Sequence, residues 1–196
     1  MNRPESLNRI DHELTESCRV KQSFPPHLKR QMADLSERIA KALQAGRTIY
    51  WMGNGGSATD AMHLAAELVG RLTGNRRALA SVALSANPST LTAIGNDYSF
   101  EEIFSRQVEA LVRRGDIVIG ISTSGNSANV IRALRAAKKL QAFTVGLTGQ
   151  TGGKLARAAD LVLKVPSQDT QRIQESHITI GHIVCGLAED ILLDRL

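Results

Sequence analysis

Five short apolar runs recur along the chain: TIYWM (48–52), ASVAL (80–84), IVIGI (117–121), FTVGL (143–147) and LVLKV (161–165). None alternates cleanly with polar residues, so each reads as a strand buried on both faces, the pattern of a parallel sheet. Parallel neighbours need long crossovers, and the sequence supplies them as helical patterns near 57–72, 88–95 with 100–113, 127–140 and 152–158. Right-handed crossovers then predict an α/β, three-layer doubly wound sandwich around a five-stranded parallel sheet. A long helix is expected from about 171, and one or two helices over 5–45, broken at "FPP". Residues 1–27 read as an N-terminal helical arm and 28–196 as one domain, since no linker or low-complexity stretch divides them.

The strand-to-helix junctions carry the chemistry, because ligands of open α/β sheets bind beyond the carboxyl ends of the strands. "ISTSGNSANVI" places Ser122, Thr123, Ser124 and Ser127 within six positions, ahead of a helix whose first turn offers free N–H groups. A capping role explains one serine, Ser127, and leaves the other hydroxyls available to a phosphate. The loop is not a nucleotide P-loop, since G-x-x-x-x-G-K-[ST] is absent. Gly53-x-Gly55-x-x-Ala58 fits a relaxed dinucleotide fingerprint, yet the second strand ends "VALSANPS" with no carboxylate for a ribose.

After the first strand, Ser57 and Asp60 match the S-x-x-D capping pattern and predict a helix from about Ala58. Ala61, Leu64, Ala65 and Leu68 form its apolar stripe, widened by Met62 and Val69. Thr59, His63, Glu67 and Gly70 occupy the opposite wedge. An i, i+4 His–Glu pair is close enough to share a metal, or is an ordinary surface contact. So apolar a helix leads us to expect a site shared between subunits. The C-terminal helix offers Gln174 and His182, eight positions apart or about 12 Å along a regular helix, with His177 as an alternative ligand. Arg71 reads equally as a charge aimed at a phosphate or as a solvated helix-end arginine.

Composition closes off other classes. The net charge of +5 is dispersed and aromatics are only 4%, too few for base-stacking platforms, so no nucleic-acid partner is expected. No run approaches the roughly 18 apolar residues of a membrane span, and no leader opens the chain. Cys18 and Cys185 fit no disulfide or metal spacing, which suits free thiols in a cytoplasmic protein.

Five motifs in order, "GNGGSATDAMHLAAEL", "IGNDYSFEEIFSRQVEAL", "GDIVIGISTSGNSANVIRAL", "LTGQTGG" and "VPSQDTQRIQESHITIGHI", closely resemble the phosphoheptose isomerases, within the sugar-isomerase (SIS) fold family. The similarity spans roughly residues 28 to 195. It implies isomerisation of D-sedoheptulose 7-phosphate to D-glycero-D-manno-heptose 7-phosphate, which opens the ADP-heptose route to lipopolysaccharide core or another surface glycan. It also implies a cytoplasmic homotetramer with one zinc per subunit. Matched residue by residue, the zinc ligands are His63, Glu67, Gln174 and His182, with Glu67 as base and His182 as partner acid/base. Substrate contacts fall on Asn54, Gly55, Gly56, Glu67, Asn96, Asp97, Ser122, Thr123, Ser124, Ser127 and Gln174. Thr59 and Ala66 depart from the common pattern at positions outside the matched set. Two alternatives stay open: a non-catalytic SIS protein that binds a replication initiator, and an isomerase for another sugar phosphate.

Overall fold

The computed structural model of the chain describes residues 3–194. Five strands, β1 (Ile49–Gly53), β2 (Ser81–Ala83), β3 (Ile117–Ile121), β4 (Phe143–Thr148) and β5 (Leu161–Lys164), form one sheet in the order β2-β1-β3-β4-β5. Every pairing is parallel; Trp51 sits between Ala83 and Ile119, and Gly53 pairs with Ile121. All residues of β1 and β3 are buried, as their apolar runs require.

Among the described residues there are seven α-helices, α1 (Arg3–Gln22), α2 (Pro26–Gln44), α3 (Gly56–Val69), α4 (Pro88–Asp97), α5 (Ser105–Leu111), α6 (Ala128–Lys139) and α7 (Thr170–Leu192), and those after α1 flank the sheet. Side chains alternate across each strand and so split the core in two. Ile49, Trp51, Ile117, Ile119 and Val145 pack with α2, α3 and α7 on one face. Tyr50, Met52, Val118 and residues of α5 and α6 pack on the other. The chain is therefore the expected three-layer doubly wound sandwich. α1 lies on α7, held by Arg172 to Glu13 and by Ser17 and Lys21 to Glu175.

Local readings need three corrections. The expected helix at 152–158 is a single 3₁₀ turn, Lys154–Arg157, because Gly152 and Gly153 take left-handed backbone (φ 76° and 52°) and break the helical path. The segment 100–113 divides into a 3₁₀ turn, Phe100–Glu102, and the short α5. Met62 and Val69, read as part of the buried stripe, are exposed at 38% and 48%; α3 is covered on one side only by its own chain.

Candidate active site

The strand order reverses between β1 and β3: the chain leaves β1 toward α3 on one face and β3 toward α6 on the other. Such a switch point opens a crevice between the two following loops. Here those loops are Asn54–Gly55–Gly56 and Ser122–Ser127. Asn54 and Asn129 tie them together through a reciprocal amide pair, both N–H···O distances 2.9 Å. Asn129 is buried, and its oxygen also accepts from the Val130 N–H. The Asn54 side chain is thus engaged in joining the loops.

The start of α3 differs from the capping expectation. Gly55 occupies the cap position with φ 55°, and the helix opens at Gly56, ahead of Ser57. A left-handed residue turns the chain early, which glycine permits without a Cβ clash. Ser57 is consequently buried within the first turn. Asp60 does not cap either: one of its carboxylate oxygens is buried without a partner. Burial pushes the Asp60 pKa up to about 6, with His63 partly opposing.

Two turns into α3, the expected pair forms: His63 Nε2 lies 3.1 Å from Glu67 Oε1. His182, from α7, brings its own Nε2 to within 2.8 Å of His63 Nε2, with the rings edge to face at 5.0 Å between centroids. The three donor atoms all lie within 4.8 Å of one another. Two imidazole nitrogens can approach so closely only with a proton or a cation between their lone pairs. Two imidazoles and one carboxylate also form a donor set suited to a divalent transition metal. The three converge within one chain, so the expectation of a shared site does not apply to them.

Gln174 sits elsewhere on α7. That helix is regular from Thr170, so Gln174 stays about 12 Å along the axis from His182. Its amide packs instead against Gly56, where any Cβ would collide with it. There it lines a groove with Asp60, Gln171, Glu175 and Ile178. His177 is fully buried and is not part of the donor cluster.

The hydroxyl loop divides in two. Thr123 and Ser124 line a cavity of about 290 Å³ with Gly149, Gln150, Thr151, Ser167 and Thr170. Ser122 and Ser127 point at each other, Oγ to Oγ 3.0 Å. Ser127 therefore precedes α6 without capping it, which leaves the helix N-terminus open to an anion. Sequence reading missed Gln150, Thr151, Ser167 and Thr170; the glycine-rich junction "LTGQTGG" was the available signal for the first two. Asn96 and Asp97 end α4, in the opposite layer from His63 and Glu67; both are exposed, and Asn96 donates to Asp97 (2.9 Å). Arg71 is exposed just past α3.

Comparison with known proteins places this geometry in a family. The SIS domain family matches residues 14–149. A phosphoheptose isomerase of Aquifex aeolicus is 51% identical over 189 residues, covering 96% of this chain and 99% of its own. One from Pelobacter propionicus is 55% identical over 161 residues, 82% of this chain and 85% of its own. Among solved structures, the phosphoheptose isomerase of Neisseria gonorrhoeae superposes with a TM-score of 0.88 at 44% identity, covering 94% of this chain and 98% of its own. With matches this extensive, the chain belongs to the phosphoheptose isomerases of the SIS domain family.

Proposed function

We propose that the protein is an isomerase that interconverts D-sedoheptulose 7-phosphate and D-glycero-D-manno-heptose 7-phosphate. The convergence of His63 and Glu67 from α3 with His182 from α7 is the observation that carries this reading. The substrate's terminal phosphate lies against Thr123 and Ser124, beside the uncapped N-terminus of α6, and Ser122 and Ser127 hold the loop behind them. Asn96 and Asp97 are assigned to the sugar hydroxyls.

Ketose-to-aldose conversion removes a proton from C1 and returns one to C2, while the O2 oxygen gains a proton and O1 loses one. Glu67 carries the carbon-bound proton: its carboxylate accepts from C1 and donates to C2 of the enediol. His182 serves the oxygens, giving a proton to O2 and taking one from O1. A zinc ion held by His63, Glu67 and His182 would supply Lewis-acid polarisation of the carbonyl, and Gln174, the fourth ligand that the resemblance implies, packs against Gly56 instead. One nitrogen cannot both ligate and move a proton, so the two assignments for His182 are separable by experiment.

The test is turnover of sedoheptulose 7-phosphate by the purified protein, with and without a chelator. Turnover lost on chelation and restored by zinc assigns His182 to ligation; turnover that survives chelation assigns it to proton transfer. Far faster turnover of a pentulose or hexulose phosphate overturns the substrate assignment. Association with a replication initiator without any isomerase activity would establish the binding-protein alternative.

We further propose a division into an arm, residues 1–27, and a catalytic domain, residues 28–196, whose outermost residues 1–2 and 195–196 lie outside the described residues. Leu7, Ile10 and Leu14 stand exposed on one side of α1 and are assigned to contacts in a homotetramer. Among the described residues, no helix is long and apolar enough to cross a membrane. The protein is assigned to the cytoplasm, where its product supplies heptose for a lipopolysaccharide core or other surface glycan.

A further inference from the structure

The α3/α7 interface sets the distance between His63 and Glu67 on one side and His182 on the other, and two features hold it. One is steric: Gly181 lets α7 approach Leu64 so closely that a Cβ there would collide with that side chain. The other is polar. Arg76, whose side chain is 3% exposed, meets the fully buried Glu189 of α7 at 2.7 Å.

Both groups are saturated. Glu189 accepts from the N–H groups of Leu72, Thr73 and Gly74 and from the Thr73 hydroxyl, besides Arg76. Arg76 donates to the carbonyls of Glu67 (2.8 Å), Leu68 (2.9 Å) and Gly70 (3.3 Å). Those carbonyls belong to the last turn of α3 and the residue that follows it, which have no intrahelical partners for them, and a cation there also complements the helix dipole. Arg76 therefore grips the backbone of Glu67 itself. Glu189 follows His182 by seven positions, two helical turns, and so lies on the same stripe of α7. A buried ion pair is not retained for stability alone, since well-packed apolar residues often serve as well. Here the guanidinium spans two helices, Nε on Glu189 of α7 and its terminal nitrogens on carbonyls at the end of α3, a directional link that apolar side chains do not make.

We propose that Arg76 and Glu189 are a positioning pair: they lock α7 against the C-terminal end of α3 and hold His182 Nε2 opposite His63 and Glu67. The inference rests on the isomerase reading above for its catalytic consequence, but its structural part is tested separately.

The experiment compares wild type with Glu189→Gln, Arg76→Lys and the apolar double variant Arg76→Met/Glu189→Met. Folding is checked by circular dichroism, zinc affinity by competition with a chromophoric chelator, and kcat and KM with sedoheptulose 7-phosphate well below the unfolding temperature. We expect folded variants whose zinc affinity drops about tenfold or more, as for other groups that orient metal ligands. We also expect kcat to fall with KM little changed. A variant with a lower unfolding temperature but wild-type zinc affinity and kcat would show a purely structural pair and overturn the proposal, as would failure of all three to fold. If wild type proves inactive on the heptulose phosphate while the variants still lose zinc affinity, the reaction assignment fails and the positioning pair stands.

Discussion

His63 Nε2 and His182 Nε2 meet at 2.8 Å although 119 positions separate them. The contact joins the helix after the first strand to the helix after the last. Glu67, one turn beyond His63, completes the group, so a carboxylate and an imidazole pair, a metal-type donor set, occupy one spot.

Removing the carboxylate tests the base. Glu67→Gln keeps the size and loses the proton acceptor, and kcat for sedoheptulose 7-phosphate should fall by about 10²–10⁴. The Gln side chain also donates weakly to metals, so zinc content of the purified variant, measured by atomic emission, should fall in parallel if Glu67 is a ligand. An active Glu67→Gln enzyme would exclude Glu67 as the base.

Because the three donors come from one chain, copies in the proposed homotetramer are expected not to complement each other at these positions. His63→Ala and His182→Ala proteins, unfolded together and refolded as mixed oligomers, should stay as inactive as either alone. Recovery of a substantial fraction of wild-type turnover would mean that the working site is built across subunits.

The Asn54–Asn129 pair predicts a stability effect with a kinetic signature. Asn129→Ala strips a buried partner from Asn54 and from the Val130 N–H, at a cost of about 1–3 kcal/mol. In a chain of this size that lowers Tm by roughly 2–4 °C for each kcal/mol. As the pair joins the two loops that flank the crevice, KM should rise as well; differential scanning calorimetry and steady-state kinetics together check both.

Acid stability should depend on Glu189. Desolvation raises its pKa, but the N–H of Gly74, the hydroxyl and N–H of Thr73 and the N–H of Leu72 outweigh it and hold the group at about 2, against an ordinary 4.5. A depressed carboxylate stabilises the fold above its unfolded pKa and loses that contribution as pH falls from 4.5 toward 2. The amount is on the order of 3 kcal/mol. Urea titrations across this window should show a steep decline for wild type and a shallower one for Glu189→Gln.

His177 gives the complementary case. Burial lowers its pKa to about 4 from 6.5, with the Thr148 backbone partly opposing. A buried imidazole held neutral favours the fold above 6.5, and this contribution is lost as pH falls through 4. His177→Leu should therefore be relatively more stable near pH 5 than wild type, with zinc content unchanged. Loss of zinc on this substitution would bring His177 into the metal site.

How far each feature could be read from the residues depended on its range. The strands were legible to within two residues because a continuously apolar run announces itself over five positions. The 152–158 helix was misread because "GGKLARA" has helical periodicity while Gly152 and Gly153 hold the backbone left-handed. The Ser57–Asp60 cap was misread for a similar reason: the pattern was present, but Gly55 started the helix early and buried both residues. Arg76 and Glu189 carried no signal at all, since a charged pair 113 positions apart looks like two surface residues until both are buried.

The sequence by itself determined the layer order, the crevice loops and the His–Glu spacing on α3, because helix and strand periods are local properties that three to eight residues express. Only the tertiary structure decided where Gln174 lies and how the loop hydroxyls divide, and it brought His182, the histidine that the resemblance implied, to the pair. Those outcomes depend on the close approach of α3 and α7 at Gly181 and on buried pairing between distant segments, and no local pattern encodes either.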